Sequence, residues 1–211
     1  MTDGSTPAAV AGFTLDELAP FHATPVPPQA SPDYRTFYVG WDDVHGALKH
    51  LHTLPGIYRY TMNMFGYDDD ELNTLVMGFV ENPAVLTNVT LDKSQAGGVH
   101  EKKLLGADRQ KDLATFNAHV AIGQSATHSI SHTKGGVIRF SGGAVAWEGS
   151  TNWSADGEGT FVMGRSQAGG TGYKAQNNTL VVHLNPWEVD RFENRLLAEH
   201  QVAMQQMAKA A

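Results

Sequence analysis

The chain has 211 residues, 41% of them hydrophobic, which is enough to bury a full core in one domain. Its formal net charge of −7 argues against a broad nucleic-acid-binding surface built on phosphate contacts. There is no cysteine, so disulfides, thiolate metal sites and cysteine nucleophiles are excluded. No basic start leads into an apolar run and no stretch has the length of a membrane span, so we expect a soluble, cytoplasmic protein, while export without a classical signal stays open.

The first predicted element is a mobile N-terminal arm over residues 1–33, which are rich in Pro, Ala, Ser and Thr, ahead of one domain over 34–211. A helix is predicted over 42–54 and ends at Pro55 and Gly56. A second helix is predicted over 68–82, where the acidic run in the first turn complements the helix dipole.

Strands separate and follow these helices. Their β-branched and aromatic content predicts strands at 57–65, 86–93, 119–124, 129–136, 144–149 and 178–184. A short helix is predicted near 112–116, and a last helix has Asn185 as its N-cap and Pro186 at its first position. Helices and strands alternate early and strands cluster later, which predicts an α/β fold with a mixed β-sheet flanked by helices.

The segment HSISHTKGGVIRFSGGAVAWEGSTNWS carries the residues that indicate chemistry. It joins a His-x-Lys pair, His132 and Lys134, to a Gly-Ser-x-Asn run that contains Ser150 and Asn152. In an extended strand alternate side chains share a face, so His132 and Lys134 are expected to point the same way. If the next strand returns beside the first, the hydroxyl of Ser150 and the amide of Asn152 can point at the same place as His132 and Lys134. A nucleophile or base, a cation and two polar groups so arranged suit a phosphoryl oxygen.

These residues resemble the phospholipase D superfamily, and within it the small bacterial nuclease-like members with a single motif. The resemblance depends on HTK at 132–134 and GSTNWS at 149–154, and extends more loosely over roughly residues 34–200. It implies that 34–211 is a phospholipase D-like catalytic domain, a metal-independent phosphodiesterase that needs no cofactor. The sequence departs from the family pattern at Arg139, where the family has Asp.

The resemblance also implies roles for the motif residues. His132 would attack phosphorus to give a phosphohistidine, while a second histidine protonates the leaving group and later activates water. Lys134 and Asn152 would hold the non-bridging oxygens, and Ser150 would hydrogen-bond within the site. Because only one His-x-Lys pair of the chain, at 132–134, is joined to a Gly-Ser-x-Asn run, a complete site needs two copies, which predicts a homodimer that shares the site.

Two further residues are candidates beside the motif. Glu148 could orient the imidazole. Arg139 could bind the substrate phosphate, because Arg binds phosphate bidentately and lies at the end of a locally basic stretch. From Lys93 to Arg139 there are seven basic residues against three acidic ones. The alternative is that these charges only solvate a loop and a helix face.

The ten histidines invite a metal hypothesis that the sequence does not favour. The spacing of His45, His50 and His52 does not place three imidazoles on one helical face. His128 and His132 have the spacing of a helical zinc pair, but the sequence between them predicts a strand, and no downstream carboxylate completes a familiar ligand set. We therefore expect no metal site.

Three functions remain open from the sequence. The first is a nuclease, with a nucleic-acid phosphodiester as substrate. The second is a phospholipase D that acts on phospholipid headgroups, which the acidic net charge keeps open. The third is a non-catalytic binding module of the same fold, which Arg139 in place of the family Asp would suggest.

Overall fold

The computed structural model describes residues 12–112, 117–154, 158 and 176–211. The strands within these ranges are β1 (Tyr34–Tyr38), β2 (Ile57–Met64), β3 (Leu86–Asp92), β4 (Lys111–Asp112), β5 (Asn117–Ala118), β6 (Val120–Gly123), β7 (Lys134–Phe140), β8 (Gly143–Gly149) and β9 (Thr179–His183). The helices are α1 (Val44–His52), α2 (Asp70–Glu81), α3 (Val99–Ala107) and α4 (Pro186–Ala210), with 3-10 turns at Leu15–Phe21 and Lys93–Gln95.

A seven-stranded sheet in the order β1-β9-β8-β7-β2-β3-β6 forms the centre of the fold. Strands β2, β3 and β6 are mutually parallel, whereas β7, β8, β9 and β1 continue the sheet by antiparallel pairing. The predicted mixed sheet flanked by helices is therefore confirmed. Residues opposite each other in β2 and β7 include Met64 and Lys134, so β7 begins beside the end of β2.

Helices cover both faces of this sheet. On one face, Leu48 and Leu51 of α1 are fully buried in a core that includes Trp147. On the other, Leu196 of α4 packs with Val137 of β7 and its neighbours. Each such side chain contributes about 1.5–3 kcal/mol when it is removed from water, so both layers stabilise the strand ends that carry the motifs.

Gly135 and Gly136 lie where both layers come closest to the sheet. A Cβ atom on Gly135 would lie 2.6 Å from the Phe192 ring of α4, and one on Gly136 would lie 2.8 Å from the Trp147 ring. Successive residues of a strand face opposite sides, so any side chain at either position would push one layer away. Packing therefore requires the glycine pair that follows Lys134.

Most of the predicted elements are confirmed. The helices predicted at 42–54 and 68–82 correspond to α1 and α2, and Asn185 caps α4 by accepting from the backbone N–H of Trp187 at 3.1 Å. The strands predicted at 57–65, 86–93, 119–124, 144–149 and 178–184 correspond to β2, β3, β6, β8 and β9. The sequence did not predict β1 or α3. Of the short helix predicted near 112–116, residue 112 belongs to β4 and 113–116 lie outside the described residues.

The strand predicted over 129–136 is wrong in its first half, because β7 begins only at Lys134. The backbone of His128 has a φ of 61°, in the left-handed region, which interrupts an extended chain. The backbone N–H of Ser131 then donates to Asp92 Oδ2 at 2.6 Å instead of to a neighbouring strand. His132 therefore precedes the strand, and strand alternation does not align it with Lys134.

The described part of the predicted N-terminal arm packs against the domain. Leu15 and Leu18 lie in the 3-10 turn, where their exposed fractions are 2% and 0%, and they belong to the main core. Residues 1–11 lie outside the described residues. The Pro and Ser content of the arm does not predict this packing, because the packing depends on Leu15 and Leu18.

Candidate active site

The two sequence motifs meet at one end of the sheet. Strand β2 ends at Met64 and leads into Phe65, and the antiparallel strand β7 begins there at Lys134. The β8 strand returns to the same end, since Glu148 pairs with Gly135, and leads into Ser150. Antiparallel pairing thus brings the start of the first motif and the end of the second to a common edge.

Phe65 holds the His-x-Lys pair together. Its ring centroid lies 4.5 Å from that of His132, and Lys134 Nζ lies 4.9 Å from the Phe65 centroid. The backbone N–H of Phe65 donates to the carbonyl of Thr133 at 3.0 Å, which fixes this contact. His132 is exposed, so its imidazole is open to a substrate.

Lys134 is a buried cation with only 4% of its surface exposed. Its Nζ donates to the His132 carbonyl at 3.1 Å, and burial lowers the pKa of the ammonium. Among the residues that the structure describes, no carboxylate forms an ion pair with it. Removing an ammonium from water costs several kcal/mol, so an uncompensated positive charge here favours a bound anion.

Asn152 lies against the residue that follows Phe65. A Cβ atom on Gly66 would come within 2.7 Å of the Asn152 side chain, and the backbone N–H of Trp153 donates to the Gly66 carbonyl at 2.9 Å. Asn152 Oδ1 is buried and makes no hydrogen bond within the described part of the chain. Consecutive residues, Phe65 and Gly66, therefore contact the two motifs.

Ser150 fastens the second motif to the neighbouring strand. Its hydroxyl oxygen accepts from the backbone N–H of Thr179 at 2.9 Å, and its own N–H donates to the Thr179 carbonyl at 3.0 Å. A Cβ atom on Gly149 would collide with that same carbonyl oxygen, which accounts for glycine before the serine. The Ser150 side chain is exposed, and within the described residues no hydrogen bond takes its own hydrogen.

An aromatic stack supports the second motif from within the core. Trp153 is fully buried, and its ring centroid lies 5.3 Å from that of Trp147 and 5.5 Å from that of Tyr67. Offset aromatic pairs of this kind add about 0.5–1.5 kcal/mol beyond their buried area. Trp147 and Trp153 are therefore core residues that support the motif from below.

The structure does not bring Arg139 to the motif residues. Five positions beyond Lys134 in the same strand, it faces the opposite side of the sheet. Its Nε donates to Glu193 Oε2 at 2.7 Å and its Nη2 to Asp190 Oδ1 at 2.7 Å, both on α4. Burial lowers the pKa of Arg139, but these hydrogen bonds outweigh it and raise the value. The guanidinium is thus engaged by two carboxylates.

Glu148 also lies on the α4 side, since it is paired with Gly135, whose missing Cβ would face Phe192. Its Oε1 lies 3.5 Å from Nε2 of His183, and the hydrogen bond from His183 lowers the pKa of the carboxyl group. No contact in the described residues joins Glu148 to the ring of His132. Its role in orienting the His132 imidazole therefore stays a prediction.

A buried histidine–carboxylate cluster, which sequence reasoning missed, lies beside the second motif. Nδ1 of His45 lies 2.5 Å from Glu158 Oε2 and 3.8 Å from Asp69 Oδ2, and all three side chains are buried. Burial lowers the pKa of His45, but the hydrogen bond with Glu158 and the other carboxylates outweighs it and raises the pKa to about 9. Burial raises the pKa of Glu158 to about 7. Asp68 ties this cluster to the motif, because its N–H donates to the Trp153 carbonyl at 2.6 Å.

No protein-family model and no curated protein matches the chain. Solved structures to which it is similar include a phospholipase D family member, Nuc from Salmonella typhimurium, at 12% identity and a TM-score of 0.49, covering 79% of this chain and 92% of that one. NucT from Helicobacter pylori is similar at 8% identity and a TM-score of 0.49, covering 79% and 94%. A polyphosphate kinase from Porphyromonas gingivalis is similar at 8% identity and a TM-score of 0.47, covering 77% of this chain and 26% of that one.

Within the described residues, none of the helices combines the length and the apolar character needed to cross a bilayer.

Proposed function

We propose that the protein is a phosphodiesterase that acts as a nuclease, with His132 as its nucleophile. The observation that carries the proposal is the meeting of the two motifs around Phe65 and Gly66, next to a buried ammonium that no described carboxylate neutralises. A phosphodiester supplies the missing negative charge on its non-bridging oxygens. The phospholipase D-like pattern of His-x-Lys and Gly-Ser-x-Asn supports the same chemistry.

The reaction proceeds in two steps. An imidazole nitrogen of His132 attacks phosphorus, and a P–N bond forms as the bond to the leaving oxygen breaks. A second histidine gives its proton to that oxygen, then takes a proton from the water that attacks phosphorus and releases His132. Lys134 and the amide of Asn152 stabilise the charge that develops on the non-bridging oxygens.

The second histidine comes from a second copy of the chain in this proposal. His119 immediately precedes β6, whose far end at Gly123 pairs with Asp92 at the site, so His119 lies at the opposite end of the sheet. His128 is exposed and precedes His132 on the site side, which makes it the alternative within one chain. A symmetric dimer that places two copies of His132 around one phosphate supplies both groups.

The activity is tested on bis(p-nitrophenyl) phosphate, an activated diester that does not depend on nucleic-acid or lipid recognition. We expect turnover by the wild type and none by His132→Ala. The control is His183→Ala, which removes the histidine of β9 that contacts Glu148 on the α4 side of the sheet. Turnover by His132→Ala would refute the assignment. Wild-type turnover of this diester with choline release from phosphatidylcholine, and no nicking of plasmid DNA, would change the substrate class to phospholipid.

The shared site is tested by mixing wild type with His132→Ala under subunit exchange. Activity is expected to fall roughly as the square of the wild-type fraction, because a mixed dimer holds one of the two required histidines. A linear fall, or an active monomer by sedimentation at the assay concentration, would assign the second proton transfer to His128 instead.

A further inference from the structure

The buried cluster of His45, Asp69 and Glu158 has no role in the chemistry proposed above. One ligand atom from each of the three residues lies within 4.8 Å of the other two. They come from the first turn of α1, the N-cap of α2 and a position beyond the second motif. Nothing in their sequence spacing relates them, so the fold alone assembles one nitrogen and two carboxylate groups.

The two nitrogens of His45 have different partners. Nδ1 faces Asp69 and Glu158, whereas Nε2 lies 3.2 Å from Glu71 Oε2, which also binds Lys49. A metal-binding histidine almost always donates its other N–H to a carboxylate, which fixes its tautomer and orientation. Glu71 is placed to accept that proton, and leaves Nδ1 free to coordinate.

Asp69 is oriented in the same way. Its Oδ1 accepts from the backbone N–H of Leu72 at 2.6 Å, as the cap of α2, so its Oδ2 is the atom turned to His45. Glu158 offers a second, independent observation. The residue is fully buried, and its Oε1 makes no hydrogen bond in the described part of the chain. A buried carboxylate oxygen without a partner costs free energy unless a cation meets it.

Charge balance points the same way. Lys49 is the one cationic side chain among the described contacts of the three carboxyl groups of Asp69, Glu71 and Glu158 around His45. A divalent cation bound to neutral His45 together with Lys49 balances three carboxylates. In tetrahedral zinc sites ligand atoms lie about 3.3 Å apart, so the 2.5 Å contact would open slightly and the longer ones would close.

We propose that Nδ1 of His45 and the carboxylates of Asp69 and Glu158 bind one divalent transition-metal ion such as zinc, which takes both imidazole and carboxylate ligands. Glu158 can also supply its second oxygen, which gives four ligand atoms in a buried, structural site whose geometry is distorted from tetrahedral by the narrow angle of a chelating carboxylate. The ion ties Glu158 to the first turns of α1 and α2 beside Trp153. This site is independent of the proposed phosphodiesterase reaction, and its test measures binding alone.

The test titrates the chelator-stripped full-length protein with Zn²⁺ by calorimetry and counts bound metal after desalting. We expect one tight equivalent in the wild type and at least a 100-fold loss of affinity in Asp69→Asn and in Glu158→Gln. Asn retains the helix cap, so Asp69→Asn is expected to fold as the wild type does. Glu71→Gln is expected to weaken binding about 10- to 100-fold, the usual effect of a residue that orients a ligand.

Asp68→Asn is the matched control. Asp68 is adjacent to Asp69 and lies 3.2 Å from His100 Nε2, but it is 82% exposed and outside the cluster. Zinc should bind this variant as tightly as the wild type and raise the melting temperature of both, while leaving Asp69→Asn and Glu158→Gln unchanged. The proposal would be overturned if the wild type bound no tight equivalent of zinc. It would also be overturned if Asp69→Asn and Glu158→Gln bound zinc with the affinity of the wild type.

Discussion

Replacement of Lys134 by methionine separates the effect of its buried charge on the free energy of unfolding from its effect on catalysis. Lys134 is 4% exposed, and within the described residues its ammonium contacts the Phe65 ring and the His132 carbonyl. Desolvation of the ammonium costs several kcal/mol. The cation–π contact returns about 2 kcal/mol and the charged hydrogen bond about 1.5–3 kcal/mol. Since these contributions nearly cancel, Lys134→Met should change the free energy of unfolding by no more than about 1 kcal/mol.

The activity should respond very differently. Lys134 is the only side chain of the proposed set with a full positive charge for the non-bridging oxygens, so its loss should lower kcat/KM about 100-fold or more. That corresponds to about 2.7 kcal/mol of transition-state stabilisation. Urea unfolding and hydrolysis of bis(p-nitrophenyl) phosphate measure the two quantities on the same sample, with the exposed Lys102→Met as control. Full activity in Lys134→Met, or a loss of several kcal/mol of stability, would refute this account of the site.

Three further outcomes follow from other parts of the structure. Arg139→Met should cost about 2 kcal/mol of stability, because it removes a charged hydrogen bond from the buried Glu193, and should leave KM unchanged. A raised KM at unchanged stability would assign Arg139 to the substrate. Burial lowers the pKa of His52 from 6.5 to about 4, so the unfolded chain binds more protons in that window and stability falls with falling pH. His52→Gln should remove about 3 kcal/mol of that fall in urea unfolding at pH 7 against pH 4, whereas the exposed His128→Gln should not. EDTA should lower the melting temperature of the zinc-loaded protein without changing its rate of diester hydrolysis at 25 °C. A rate that is lost to EDTA and restored by zinc would contradict a metal-independent reaction.

Sequence reasoning succeeded where local pattern decides the structure. The N-cap of α4 at Asn185, the helices around DDVHGALKHLHTL and DDDELNTLVMGFVEN, and most strands follow from capping and hydrophobic periodicity. It missed the start of β7, because Asp92 on another strand takes the backbone N–H of Ser131. It missed the edge strand β1, whose alternation includes a buried arginine, Arg35, instead of an apolar residue.

The candidate site was predictable only in part. His132, Lys134 and Asn152 stand in recognisable motifs, but Phe65, which contacts the first two, has no motif of its own and is placed by the pairing of β2 with β7. Arg139 illustrates the reverse case. Its type suggested phosphate binding, yet the alternation of strand β7 turns it to Glu193 on α4.

The central claim, that His132 is the nucleophile, is tested most directly by trapping the covalent intermediate. Wild-type protein is mixed with bis(p-nitrophenyl) phosphate, quenched in base to preserve phosphohistidine, digested and mapped by mass spectrometry. The account predicts an added aryl phosphoryl group on the peptide that contains His132, assigned to that residue by fragmentation, and no adduct in His132→Ala. An adduct on His128 or any other residue, or an unchanged rate in His132→Ala, would contradict it.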